Sequence, residues 1–104
     1  MAEPSTMNVI LHAPTPDALE RARNNAANLK REVPDADVRI VANAEAVAAA
    51  LDDPRPDTDA LTWLCPNTLA RSGRKKRVPL QVLEQPAVLE IVRAQQQGWI
   101  YIRS

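Results

Sequence analysis

The sequence predicts an α/β fold, a three-layer α/β/α sandwich around a mainly parallel sheet of about five strands. Short apolar runs and amphipathic helical segments alternate along the chain, the pattern of strands joined by helical crossovers. The first run shows little in-out alternation, as expected of a strand covered on both faces. Helix start and stop residues fall between the runs.

Residues 1–6 (MAEPST) read as a flexible tail, and residues 7–104 as one domain. Residues 7–13 (MNVILHA) are the first strand. Thr15 can cap a helix, Pro16 suits its first position, and Asp17 complements its positive end. Leu19, Ala22, Ala26, Leu29 and Val33 form one apolar stripe over a helix at 16–32, and Pro34 stops it. Residues 37–42 (DVRIVA) are a second strand, and Asn43 is placed to cap an Ala-rich helix at 44–51. The segment 52–59 (DDPRPDTD) is loop.

Residues 60–64 (ALTWL) read as a third strand ending at Cys65, and Pro66 starts a short helix. A basic loop follows at 72–77, then a fourth strand at 78–83, whose Pro79 favours a strand start or an edge. Pro86 opens a helix to about residue 97, with Val88, Leu89, Ile91 and Val92 expected inward and Gly98 at its left-handed end. Residues 99–103 (WIYIR) close the sheet.

Composition narrows the function. The formal net charge is zero, so no global field favours nucleic acid or a membrane surface. No apolar run reaches the roughly 18 residues of a membrane span, and the first residues lack the basic-then-apolar order of a signal peptide. One cysteine excludes an internal disulfide and suits a reducing, cytoplasmic setting. With one Cys and one His, a zinc site is not expected, and no Gly-rich phosphate loop occurs. No metal or organic cofactor is called for.

In parallel sheets with helices on both faces, ligands bind outside the carboxyl ends of the strands. His12, Asn43, the Cys65-Pro66-Asn67 turn and the segment around Glu84 and Gln85 fall there. With Pro66 as first helical residue, Cys65 occupies the helix cap, where backbone N–H groups favour a thiolate. Such a thiolate is a nucleophile able to accept sulfane sulfur and carry it as a persulfide. The competing reading of Cys65 is a buried small hydrophobe. His12 is a candidate base or anion ligand, or a hydrogen-bonded structural residue.

Asn24, Asn25 and Asn28 are unusual inside a helix and could meet a partner subunit or a nearby loop, or form a solvated face. Arg71, Arg74, Lys75, Lys76 and Arg77 form a basic cluster, without which eight cations face thirteen acids. The cluster holds no aromatic for base stacking, so nucleic acid is the least favoured partner and a solvated loop the default. Trp99 and Tyr101 alternate with Ile100 and Ile102, which suits either core packing or a subunit interface.

Two segments resemble the DsrE/DsrF-like family of small sulfur-relay proteins. Leu64-Cys65-Pro66-Asn67-Thr68-Leu69 resembles that family's C-x-N-T-L turn, and Gln97-Gly98-Trp99-Ile100-Tyr101-Ile102-Arg103 its closing G-[WY]-x-Y-I-[RK] strand. Weaker likenesses at 9–12, 22–29 and 41–44 follow in the same order. The resemblance implies a homo-oligomer, trimeric or hexameric, that works with sulfur donor and acceptor proteins. It implies a persulfide on Cys65, with Asn67 shaping the turn and His12 lining the pocket. Asn43 and Thr68 complete the candidate site. The chain departs from the family where a Gly-Val precedes the cysteine strand, and where Ala44 stands in place of a frequent glycine. The alternative is a non-enzymatic oligomeric module binding a small ligand or protein in the same crevice.

Overall fold

The computed structural model describes residues 7–104; the expected N-terminal tail lies outside the described residues. Five strands form one parallel sheet: β1 (Asn8–Ala13), β2 (Asp37–Ala42), β3 (Thr62–Leu64), β4 (Gln81–Val82) and β5 (Ile100–Arg103). Their order across the sheet is β4-β3-β2-β1-β5. The helices are α1 (Pro16–Glu32), α2 (Glu45–Asp52), α3 (Pro66–Ser72) and α4 (Ala87–Gln96). This is the α/β architecture that the alternating apolar runs predict.

The strand order explains the layers. From β1 to β4 the chain steps one strand at a time in one direction, so right-handed crossovers put α1, α2 and α3 on one face. The step from β4 to β5 runs back across the sheet and carries α4 over the other face. The two cores match these layers. Val9, Leu11, Val38, Ile40 and Leu64 pack with α1 and α2 residues such as Leu19, Ala22 and Val47, and Leu69 of α3 joins them. Ile10, Val41, Cys65 and Leu83 pack with Ala87 and Ala94 of α4.

Local chemistry sets the elements as expected at α1. Thr15 Oγ1 accepts the Ala18 N–H at 3.1 Å, Pro16 follows the cap, and the Val33 N–H closes on the Leu29 carbonyl at 2.7 Å. Gly98 has φ 93°, the left-handed conformation expected just past α4.

Four expectations need correction. Asn43 does not cap α2: Ala44 is the cap residue and has no side-chain cap hydrogen bond, and the Asn43 side chain is engaged by His12 instead. The third strand is shorter than 60–64, because Asp59–Leu61 forms a 3-10 turn anchored by polar groups. Asp59 is 1% exposed and accepts from the Arg55 N–H at 3.0 Å and from Arg77 Nη1 at 2.8 Å. The fourth strand shrinks to Gln81–Val82. Arg77 donates to the Leu51 and Ala50 carbonyls at the end of α2, and this tie draws the preceding chain off the sheet, leaving Val78 85% exposed. On α4, Val88 is 70% exposed and Val92 is also exposed, while Ala87, Ala94 and half-buried Ile91 face the sheet. Two apolar stripes compete on this helix, and the one with alanines allows the closer approach.

Candidate functional site

Adjacent strands β3 and β4 send their chains to opposite faces, β3 into α3 and β4 into α4. This divergence is the switch point at which α/β sheets open a crevice, and Cys65 sits on it. Its backbone continues the sheet, with its N–H on the Ala42 carbonyl at 2.9 Å. Cys65 is the N-cap residue of α3, with Pro66 as the first helical residue.

Cys65 caps α3 and packs in the same core as Ala87 at the start of α4. The Cys65 side chain makes no cap hydrogen bond to α3, while the surroundings act on its charge in opposite directions. Burial pushes the Cys65 thiol up. The N–H groups of Thr68 and Ala87, the Thr68 hydroxyl and the Asn67 N–H pull it down and prevail, so the thiol lies below its ordinary value. Asn67 and Thr68 belong to the helix that follows the cysteine, whereas Ala87 opens α4 from the opposite layer. Cys65 is 6% exposed. It therefore satisfies the nearly buried packing of a small hydrophobe and the polar surroundings of an activated thiol together.

Thr68 is held in turn. The Ala44 N–H donates to Thr68 Oγ1 at 3.3 Å. Ala44 reaches this position with φ 51° and ψ −137°, a backbone that costs a residue with a Cβ on the order of 1–3 kcal/mol. A cleft of about 390 Å³ opens beside Thr68, lined also by Ala44, Val47, Ala48 and Arg71.

His12 and Asn43 form a second cluster at the carboxyl end of the sheet. His12 pairs with Val41 across β1 and β2, and it lies two residues beyond Ile10, so it faces the α4 layer, as Cys65 does. Its Nε2 lies 3.0 Å from Asn43 Oδ1 and its Nδ1 2.7 Å from the Tyr101 hydroxyl. With the amide assigned this way, the carbonyl oxygen only accepts, so Nε2 carries the proton and Tyr101 donates to Nδ1. Both ring nitrogens are engaged within this chain. Tyr101 is half-buried and packs with Trp63 and Trp99 against the second core, while Ile100 and Ile102 are exposed.

The remaining sequence candidates disperse. Asn24 accepts from Arg55 and Asn28 from Arg31, both on this chain. Arg74 pairs with Asp52, and Arg77 is built into the end of α2 and onto Asp59, so these two members of the basic cluster serve structure. Among the described residues, no three His, Cys, Asp or Glu side chains are grouped to hold a metal ion, and no helix is long and apolar enough to cross a membrane.

Sequence reasoning missed the Ala87 amide, although Pro86 before a helix at the crevice was a signal for it. It also missed Arg39 of β2. The Arg39 guanidinium carbon lies 4.7 Å from the Trp99 ring centre and 5.3 Å from that of Trp63. Its Nη1 is 3.7 Å from Glu90 of α4 and its Nε 3.8 Å from Asp37. A third omission is Arg23, 1% exposed in α1, which meets Asp53 at 3.2 Å and Asp59 at 3.6 Å. No known protein-family model matches this chain, and no curated protein matches it.

Proposed function

We propose that this protein binds sulfane sulfur as a persulfide on Cys65 and relays it to an acceptor thiol. The observation that carries the reading is the seat of Cys65 at the cap of α3, in one core with Ala87 at the start of α4, where neighbouring N–H groups and the Thr68 hydroxyl hold the thiol below its ordinary value despite burial. The amides favour the thiolate, which is the nucleophile in sulfur exchange. The likeness of the Cys65 turn and the closing strand to DsrE/DsrF-like proteins points the same way.

In the first step the Cys65 thiolate attacks the outer sulfur of a donor. The donor's S–S bond breaks, its electron pair leaves with sulfite or a thiolate, and a new S–S bond forms on Cys65. In the second step an acceptor thiolate attacks the outer sulfur of the persulfide, and Cys65 leaves as the thiolate. No net oxidation occurs. Asn67 and Thr68 hold the departing charge through their N–H groups, and Thr68 adds its hydroxyl. Cys65 is 6% exposed, so the donor must be narrow, as thiosulfate and hydropolysulfide are. A homo-oligomer is the setting this reading takes from the resemblance, and a reducing cytoplasm the one it takes from the single cysteine.

The test is an intact mass after incubation with thiosulfate or polysulfide. A gain of one sulfur atom, removed by dithiothreitol and absent from Cys65→Ser, is the expected result. An unmodified mass under conditions that load a reference sulfurtransferase would reject the proposal.

A further inference from the structure

Three helices cover one face of the sheet, and α4 alone covers the other. The part of that face that α4 leaves open carries residues unusual for the middle of a sheet. Arg39 is the third residue of β2, in register with the core residue Ile10 of β1. Trp99 and Trp63, the two tryptophans of the chain, flank its guanidinium at 4.7 and 5.3 Å. Glu90, Arg93 and Gln97 share one side of α4 and face the same space. That space is a cleft of two adjoining chambers, both lined by Arg39, Gln85, Glu90 and Arg93. One holds about 240 Å³ and is bordered by Ile10 and Trp99. The other holds about 460 Å³, the size of a small-molecule site, and is bordered by Trp63, Leu83 and Glu84. Cys65, His12 and Asn43 line neither chamber.

The guanidinium groups of the cleft are held in place without being saturated. The two carboxylates beside Arg39, Glu90 and Asp37, stand at 3.7 and 3.8 Å, longer than hydrogen bonds. Its N–H groups are thus not taken up by these neighbours, while two indole rings restrict its motion. Arg93 donates through Nη1 to Gln85 Oε1 at 3.0 Å, which uses one of the five N–H donors of a guanidinium. Gln85 Nε2 in turn donates to Glu90 Oε1 at 2.8 Å. These contacts set the wall of the cleft in advance of a ligand, which lowers the entropy lost on binding.

We propose that the cleft between α4 and the sheet binds a small organic carboxylate. Arg39 and Arg93 take the carboxylate, and the walls at Trp99, Trp63 and Leu83 take its apolar body. The class of ligand follows from the lining. A compact dianion such as phosphate would meet the acids Glu90 and Glu84 as well as the two arginines. A carboxylate carries one charge, spread over two oxygens in the plane that a guanidinium fork matches. The proposal goes beyond sulfur relay and stands whether or not Cys65 accepts sulfur.

Both tryptophans border the cleft, so their emission reports on it. The experiment titrates the full chain with benzoate at constant ionic strength, with benzamide, acetate and inorganic phosphate in parallel. Benzoate should give a saturable change, in the millimolar range for so small a probe. Benzamide lacks the charge and should bind at least about tenfold more weakly, since hydrogen bonds to ionised groups are the strong ones. Acetate lacks the body, and phosphate adds charge without one; both should also bind more weakly. Arg39→Met and Arg93→Gln should each weaken benzoate by about tenfold or more. Glu90→Gln removes the competing anion and should tighten binding severalfold. Arg31→Gln makes the same change of charge on α1, outside the cleft, and should leave binding as it is. Melting curves establish that each variant is folded. Arg93→Gln, at an exposed position, and Glu90→Gln decide the matter if Arg39→Met does not fold.

No saturation by about 50 mM benzoate, well above the affinity expected of such a probe, would overturn the proposal. Phosphate binding as tightly as benzoate would overturn it too, because the cleft would then attract anions without using its apolar walls. The same holds if Arg31→Gln weakens benzoate as much as Arg93→Gln, which would mark diffuse attraction by the whole surface. Weaker binding in folded Glu90→Gln would contradict the assignment of the carboxylate to the arginines.

Discussion

The backbone N–H of Ala44 donates to the Thr68 hydroxyl oxygen at 3.3 Å, and that hydroxyl is one of the groups lowering the Cys65 thiol. With its oxygen accepting from Ala44, the Thr68 proton is free to point at the sulfur. The end of β2 and the start of α3 are thereby coupled through one side chain. Thr68→Val removes the hydroxyl and keeps the shape, whereas Thr68→Ser keeps the hydroxyl. The valine variant should alkylate more slowly below the thiol midpoint, by about three- to tenfold for a loss of 0.5–1 pH unit. The serine variant should stay near the parent rate. Equal rates for both variants would show that the hydroxyl does not act on the thiol.

Ala44 carries φ 51° in a region that favours glycine. Ala44→Gly should relieve more strain than the entropy glycine adds to the unfolded chain, for a net gain of about 1 kcal/mol. In a domain of this size that raises the melting temperature by roughly 4–8 °C. Calorimetry of the two proteins checks the sign, and a lower melting point for the glycine variant would contradict the assigned backbone.

The lowered Cys65 thiol also predicts how stability varies with pH. A thiol with a depressed folded-state value favours the folded chain once ionised. Its contribution is fully present above the unfolded value and is lost as pH falls through the folded value. Urea midpoints should therefore rise with pH across the window between those two values. The increment should vanish in Cys65→Ser, measured in the same buffers. Parallel curves for parent and variant would contradict the prediction.

Asp59 is the shared acceptor for Arg77 and, at longer range, for Arg23, and both Asp59 and Arg23 are almost fully buried. Burial pushes the Arg23 guanidinium down, with Asp53 and Asp59 opposing it. Asp59→Ala leaves a buried cation facing only the exposed Asp53, and breaking such a pair costs about 3–5 kcal/mol. Against the roughly 5–15 kcal/mol of a small domain, the variant should unfold at markedly lower urea. A loss below about 1 kcal/mol would place this pair with ordinary surface ion pairs.

Much of this architecture was legible because its causes are local. The run at 8–13, the Thr15-Pro16-Asp17 start of α1 and the Cys65-Pro66 cap each occupy a few consecutive residues. The site was legible only where it shares that property. Cys65, Asn67 and Thr68 lie within one turn, and the structure brings them together. Asn43 was misread because its side chain has two possible uses, a helix end or a ring nitrogen, and only the neighbouring strand decides. Arg23, Arg39 and Ala87 were missed because their roles depend on partners far along the chain. Val88 and Val92 misled because hydrophobic residues were counted without their volume, and the small alanines won the inner face of α4.

β5 lies beside β1, although the other strands come between them in sequence. The Ser104 N–H bonds the His12 carbonyl, and the Tyr101 hydroxyl meets the His12 ring. While the ribosome is still making β5, one side of β1 lacks its partner and His12 lacks one of its two hydrogen bonds. Closing the longest loop in the sheet is a late and slow event in folding. A chain that stalls before β5 would leave the backbone groups on one side of β1 without their partners, an open strand edge of the kind that invites pairing with another chain.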